Sequence, residues 1–438
     1  MFAEKKRTQF APPGPRPLPL IGNLLDMVGA DPHIRLTEMA ETFGTVFQVR
    51  FGREPVVVIN DIDLAKEALV KNGDDFAGRA HLPTTDLLSN SGMGIAFADY
   101  GRGWRIHKKL THNSLKMFGQ GMFQLEDKIT TEADWLCGYL KTSSGAPLDP
   151  YLPLNTVVGN VISSICFGKR FEPEDDEFRT IIGYNEGLVD TVGKDALIDV
   201  FPWLAKLPNS TVTKMKQCLK TRDNVLNNNI EEHRVNIFFK LIIIFFTIEG
   251  SFKDGQPRDL VDALLKAQAE AAAEGGRKAQ RYLSDEHILT TVNDVFGGGM
   301  ETSTTTLRWI LAFLLHHPEK QVGDFDVPQG TRVMFNLWAI HHDERHWTDP
   351  ATFNPDRFLD AKTGQLLRGG SFLPFLAGCR GCLGESMAKA ELFLFTARIL
   401  RDFRLELPDG VSPPSLQGRY GVVMAPDRYD ICFRPRNA

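Results

Sequence analysis

The stretch "FLPFLAGCRGCLGE", residues 372–385, sets Cys379 and Cys382 three apart among glycines and small residues. Two thiols at that spacing suit half a zinc site or a redox pair. A structural zinc site needs two more ligands at comparable spacing, and the chain has no second such pair. Its adjacent histidines, 316/317 and 341/342, diverge on a helix or a strand. A dithiol redox pair belongs beside a parallel strand–helix unit, and this region lacks one. A single thiolate, serving as the axial ligand of a flat macrocycle, suits the stretch better. Gly378, Gly381 and Gly384 strip the loop of side chains, so its backbone can approach such a group and aim N–H groups at the sulfur. Arg380 can reach an acidic edge. The residues after Cys382 read as a helix whose N-terminus favours the negative thiolate. From Leu392 to Leu400 that helix is apolar almost all round, which predicts burial.

A second stretch, "SDEHILTTVNDVFGGGMETSTTTLRWILAFLLHHP" (284–318), has helical apolar spacing, a cap-like Ser284 and acids in its first turn. Gly297, Gly298 and Gly299 interrupt it. Three glycines cost a helix roughly 2–3 kcal/mol relative to alanine. Either two helices meet here, or one helix lays a bare face against a flat ligand, with Glu301 and Thr302 directed at it. A hydroxyl that bonds a backbone carbonyl can also hold a water.

With both stretches in view, the chain resembles the cytochromes P450. "FLAGCRGCLGE" is similar to the family's haem-binding signature, matched by Phe375, Gly378, Arg380, Cys382 and Gly384. Gly298-Gly299-Met300-Glu301-Thr302 matches its long-helix motif, and "FNPDRF" (353–358) supplies a third with Arg357. Leu376 replaces the usual small residue, a departure expected to strain the loop. Within the family, "FAGRAHLPTTDLLSNSGMGIAFADYG" (76–101), "MFGQG" (117–121), residues 184–209 and "PSLQGRYGVVMAP" (414–426) are most similar to the steroid-hydroxylating branch that performs 17-alpha-hydroxylation and 17,20-lyase chemistry.

The resemblance implies haem b with Cys382 as axial ligand of the iron, leaving Cys379 incidental. It implies Glu301 and Thr302 as the catalytic proton relay. Arg79, Arg380, Trp104 and Lys108 are implied as haem contacts, with Lys108 standing where arginine is common. Ala96, Phe97, Thr191 and Gly298 are implied as substrate contacts, with Thr191 in a place where some relatives carry asparagine. The implied partners are a steroid-like substrate, O2, an NADPH–cytochrome P450 reductase and, optionally, cytochrome b5. The implied location is the cytosolic face of the endoplasmic reticulum membrane.

Composition agrees with a large globular enzyme. The chain has 438 residues, 42% hydrophobic and 24% charged. A net charge of −5 gives no nucleic-acid footprint. Six scattered cysteines argue against a disulfide framework and for a reducing compartment. Periodicity predicts a mainly α chain with a minor β-sheet: a hairpin over 45–60, a strand in 330–340 and another between Tyr420 and Phe433. Residues 268–280 read as a helix end and surface loop. Residues 1–22 read as a basic, proline-rich hinge and 23–438 as one haem-binding domain. No signal peptide or spanning helix opens the chain. Lys5, Lys6 and Arg7 before "PPGPRPLPLIGN" suit either the stretch after a membrane anchor or a basic tail on a soluble protein. The apolar run "VNIFFKLIIIFFTI" (235–248) is too short to span a bilayer. It reads as a buried strand, an interfacial segment or an insertion foreign to the fold.

One family element is missing. A Glu-x-x-Arg helix normally follows the long glycine-bearing helix, yet 319–329 is "EKQVGDFDVPQ". The "EEHR" at 231–234 has the spacing but lies upstream. In the family Arg357 shares a buried network with that glutamate and arginine, and removing one partner costs about 3–5 kcal/mol. Two expectations follow: a haem-thiolate monooxygenase hydroxylating a steroid, or a catalytically impaired relative or splice form that holds haem weakly or not at all.

Overall fold

The structure is a computed structural model. It describes residues 12–28, 31–119, 122–192, 196–246, 257–273, 281–313, 332–350, 355–360, 363, 365, 371–419, 421 and 423–436. Residues 319–329, where the Glu-x-x-Arg helix is absent, fall outside them, as do Phe353 and Asn354 of "FNPDRF". The chain divides into two compact units, residues 1–80 with 316–382 and residues 81–315 with 383–438.

In chain order the helices are α1 (Pro32–Phe43), α2 (Ile62–Lys66), α3 (Pro83–Leu88), α4 (Arg102–Gly119), α5 (Met122–Thr142), α6 (Tyr151–Cys166), α7 (Asp176–Thr191), α8 (Ala196–Val200), α9 (Ser210–Phe246), α10 (Leu260–Ala273), α11 (Asp285–Phe313), α12 (Leu337–His341) and α13 (Glu385–Asp402). The strands are β1 (Val46–Phe51), β2 (Glu54–Ile59), β3 (Pro147–Leu148), β4 (Arg332–Phe335), β5 (Phe403–Glu406) and β6 (Ile431–Pro435). The fold is mainly α with a minor sheet, as the periodicity predicts.

The first unit is built on the expected hairpin. β1 and β2 pair antiparallel, Val46 opposite Ile59 and Phe51 opposite Glu54. β4 joins β2 in parallel, Val56 opposite Arg332. Period-2 alternation buries both faces of the hairpin. Val46, Val57 and Ile59 pack with Ile62, Ala65 and Ile340, while Phe47, Val49, Val56 and Val58 pack with Leu36. The proline-rich stretch runs extended along β1, where Gln48 N–H donates to the Pro13 carbonyl at 2.7 Å. Of the expected 330–340 strand, 330 and 331 lie outside the described residues, 332–335 is extended, and the rest is not, because Asn336 caps α12 by accepting from the Ala339 N–H.

The second unit is organised around α6, which is buried along nearly its whole length. Its Val157, Val161, Ile162 and Ile165 pack with residues of α5, α10, α11 and α13 in one cluster. A small antiparallel sheet, in the order β3-β6-β5, closes this unit. Among the described residues, the strand expected between Tyr420 and Phe433 is Ile431–Pro435. α11 runs without a break through its glycines, and Ser284 caps it, its hydroxyl accepting from His287 N–H at 3.4 Å. The run 235–246 is helical, the last third of α9, and not a strand. α13 is not buried all round. It hides only the stripe Met387, Glu391, Phe395 and Ile399, spaced by four, and leaves Phe393 70% exposed. Among the described residues no helix is long and apolar enough to cross a membrane.

Candidate active site

In the first unit the cysteine loop sorts its two thiols. Gly378–Arg380 forms a single 3-10 turn. Gly381 N–H closes it on the Gly378 carbonyl at 3.1 Å, and Cys382 N–H reaches back to the Phe375 carbonyl at 2.9 Å. These two amides therefore brace the loop and are not aimed at the sulfur. Gly378 has a φ of +72°, and a Cβ there would lie 1.7 Å from the Leu69 carbonyl oxygen, so only glycine fits. Leu376 takes a φ of +58°, the left-handed region that a leucine avoids, and the expected strain is present. The Cys379 thiol turns to the Gly73 carbonyl at 3.4 Å. Cys382 is exposed. All six cysteines are free thiols.

Arg380 Nε donates to the Ala77 carbonyl at 2.8 Å, two residues before Arg79. Burial lowers the pKa of Arg79, with nearby Cys379 acting in the opposite direction. The two arginines therefore share the neighbourhood of the loop. Arg357 donates to the Thr348 and Asp349 carbonyls at 3.2 and 3.0 Å, the latter at a residue with a φ of +49°.

In the second unit α11 carries the other expected residues. A Cβ on Gly298 would meet nothing within 4 Å, whereas one on Gly299 would press on Ile162 of α6 at 2.9 Å. Gly299 is thus demanded by helix packing, and Gly298 leaves an open face. Thr302 is exposed one turn along that face, its hydroxyl donating to the Gly298 carbonyl at 2.6 Å. Glu301 turns away from it, as neighbours on a helix must. Its carboxylate accepts from Thr305 Oγ1 at 3.2 Å. It lines a cleft of about 240 Å³ with Tyr151, Glu186, Arg308, Arg419 and Arg428. Burial raises its pKa above the ordinary glutamate value, partly offset by the Thr305 bond and the Arg308 charge. The expected pair of catalytic groups is therefore divided between two faces of one helix.

The segment before α4 is pinned to α11. Asp294 Oδ2 accepts from the backbone N–H groups of Ile95 at 2.7 Å and Ala96 at 3.0 Å. Burial pushes its carboxyl up to about 6 despite those two bonds. Trp104 Nε1 donates to the Ile95 carbonyl at 3.1 Å, and Lys108 stands 4.9 Å over the Trp104 ring, on the expected shared face of α4. Ala96 is thereby held beside the α11 stripe that Gly298 continues one turn further on. Thr191 is buried at the end of α7, its hydroxyl donating to the Gly187 carbonyl of its own helix at 2.8 Å. Sequence reading missed Asp294, yet a signal existed: 294, 298 and 302 recur every four residues and form one stripe. It also missed Glu391, which is fully buried on α13 and accepts from Ser303 Oγ at 2.8 Å. An acid in an apolar run carried no pattern that would have marked it.

Comparison with known proteins defines the class. The profile of the family described as Cytochrome P450 matches residues 12–322 and 320–433, two segments that meet at 320–322. The chain belongs to the cytochrome P450 family, and it is an oxidoreductase of the monooxygenase class. Membership implies haem with a thiolate-coordinated iron. Steroid 17-alpha-hydroxylase/17,20 lyase of Oryzias latipes is 38% identical to it, over 99% of this chain and 93% of that one. The protein of the same name from Gallus gallus is 37% identical, over 96% and 91%. A solved zebra fish cytochrome P450 with progesterone superposes with a TM-score of 0.76 at 34% identity, covering 93% of this chain and 100% of that one. The Oryzias alignment runs over 496 positions, more than this chain's 438 residues, so the relative carries residues without a counterpart here.

Proposed function

We propose that the chain hydroxylates a steroid, in the manner of the 17-alpha-hydroxylases it resembles, with O2 and electrons from an NADPH-dependent reductase. The residues present fit haem. The first unit offers an exposed thiol at Cys382 on a loop stripped of bulk, and guanidinium groups at Arg380 and Arg79 for the acidic edge. Taken by itself, the second unit has an open face at Gly298 and a Trp104–Lys108 pair. Bound haem would supply dioxygen activation, which a thiolate ligand promotes by pushing electron density toward O–O cleavage.

The remaining work falls to the protein. Thr302 Oγ1, its own proton donated to the Gly298 carbonyl, offers a lone pair that can hold a water on the open face. Glu301, held less acidic by burial, sits in the polar cleft on the neighbouring face, from which protons can be drawn. Ala96 and Phe97, with Gly298, offer an apolar surface to a flat ligand such as a steroid. Leu197, Trp203 and Leu207 are exposed within eleven residues of one another and support contact with a membrane surface.

The observation that carries this reading is the unequal fate of the two thiols, Cys379 spent on Gly73 and Cys382 presented. Reduction of the purified protein under carbon monoxide should give a thiolate-type Soret band. Cys379→Ala should keep the band and Cys382→Ala should abolish it. A thiolate spectrum in Cys382→Ala would overturn the assignment. A second reading, an impaired relative, draws on the two-segment family match and on an Arg357 bonded to turn carbonyls. Haem-free protein, or a neutral-thiol spectrum in the unaltered chain, would favour it.

A further inference from the structure

His81 opens the second unit and is half exposed. Its Nδ1 lies 3.1 Å from Asp86 Oδ1, on α3, and its Nε2 lies 3.0 Å from Asp99 Oδ2, past the far end of the loop. Carboxylate oxygens accept and do not donate. Both ring nitrogens must therefore carry protons for both bonds to exist, and a neutral imidazole would face one carboxylate with a lone pair.

The segment between these two acids is unusual in its backbone. Asn90, Ser91, Gly92 and Gly94 all have positive φ. The Gly92 position faces the His81 ring, with a Cβ there falling 3.3 Å from Cε1. The segment's start is fixed, because Asp199 accepts from the Thr84 N–H and hydroxyl at 2.9 and 2.6 Å and Arg222 donates to the Leu88 carbonyl at 3.0 Å. Its later part is fixed at Ile95 and Ala96 by Asp294. The His81 bridge completes the set by tying the segment's exit to its entry.

We infer that His81 is a positioning residue: as an imidazolium shared by Asp86 and Asp99, it closes residues 82–99 into a clasp that holds the turn presenting Ala96 and Phe97. The part of this inference that concerns substrate rests on the proposed contacts at Ala96 and Phe97; the clasp itself does not. The charged groups facing the ring are Asp99, from the segment's exit, and Asp86, from α3. Their bonds, that of Asp99 foremost, raise the ring above its ordinary 6.5. A raised histidine contributes fully below its ordinary value and loses that contribution as pH rises through the raised one. The clasp is therefore shut in mildly acidic solution and slackens in alkaline solution.

The test is hydrogen–deuterium exchange of the holoenzyme, read on peptides from 82–99 and corrected for intrinsic rates, with α6 peptides as the control. Between about pH 6 and about pH 8.5, uptake in 82–99 should rise about threefold or more in the unaltered protein and stay level in α6. His81→Gln should be loose at both pH values. Asp99→Asn, which keeps an acceptor for the ring but removes the charge that holds it protonated, should flatten the response likewise. A flat response in the unaltered protein, or a preserved response in His81→Gln and Asp99→Asn, would overturn the clasp. Progesterone affinity measured on the same samples should weaken in step with exchange. Exchange that behaves as stated while progesterone binds no variant and not the parent would sink the steroid reading and leave the clasp standing.

Discussion

At the scale of single residues, the cysteine loop is held by geometry that tolerates little change. Gly378→Ala would force a methyl group into the Leu69 carbonyl at a backbone angle that L-residues avoid. It should cost about 2 kcal/mol or more of stability, measured by chemical denaturation, and should lower haem occupancy with it. Leu376→Gly acts in the opposite direction. It relieves a left-handed leucine and should stabilise the folded chain by about 1 kcal/mol in the same measurement. The roles of Gly378 and Cys382 were legible because the motif is dense and local. The fate of Cys379 was not, since its partner, Gly73, stands 306 residues upstream and no spacing rule connects them.

At the scale of elements, the joint between α11 and α13 carries a titrating group. Glu391 is fully buried, and burial pushes its carboxyl up to about 8, with the Ser303 bond only partly opposing. The protonated form is the one the fold prefers. Its contribution is complete below the ordinary value near 4.5 and is lost as pH climbs through about 8. Glu391→Gln keeps an acceptor for Ser303 and cannot ionise. Its unfolding free energy should fall less than the parent's between those limits, by on the order of 3 kcal/mol at the alkaline end. On the opposite side of α11, Asp294→Ala would strand the Ile95 and Ala96 N–H groups. It should cost about 1–3 kcal/mol and raise KM more than it lowers kcat, in steady-state kinetics. Long helices such as α11 were legible from periodicity. Their continuity through Gly297–Gly299 was not, because tertiary packing against Ile162 outweighs the glycine penalty. Residues 235–246 are helical too, as the end of α9, although their β-branched, aromatic composition suits a strand.

At the scale of the whole molecule, the chain is a family member with a gap. The profile match resumes at 320 after running to 322, at the place where the Glu-x-x-Arg helix is missing from the sequence. Grafting a Glu-x-x-Arg segment from one of the relatives between residues 318 and 330 should bring a carboxylate to Arg357 beyond the turn carbonyls it already bonds. A larger haem-loaded fraction is expected; an unchanged fraction would mean the gap is compensated. The family and its fold were legible because three motifs agree in order and context. The division into two units was not, since each is assembled from stretches far apart in the chain.

That discontinuity has a consequence for synthesis. β2 ends at Ile59, and the strand that pairs with its open edge, β4, begins only at Arg332. At ~5–20 residues per second a ribosome needs on the order of tens of seconds to deliver it. Throughout that interval the nascent hairpin offers an unpaired apolar edge, the template that strands of other chains can join. Chaperones present during translation should therefore raise the yield of folded chain, which co-expression with a holdase would read as a larger soluble fraction.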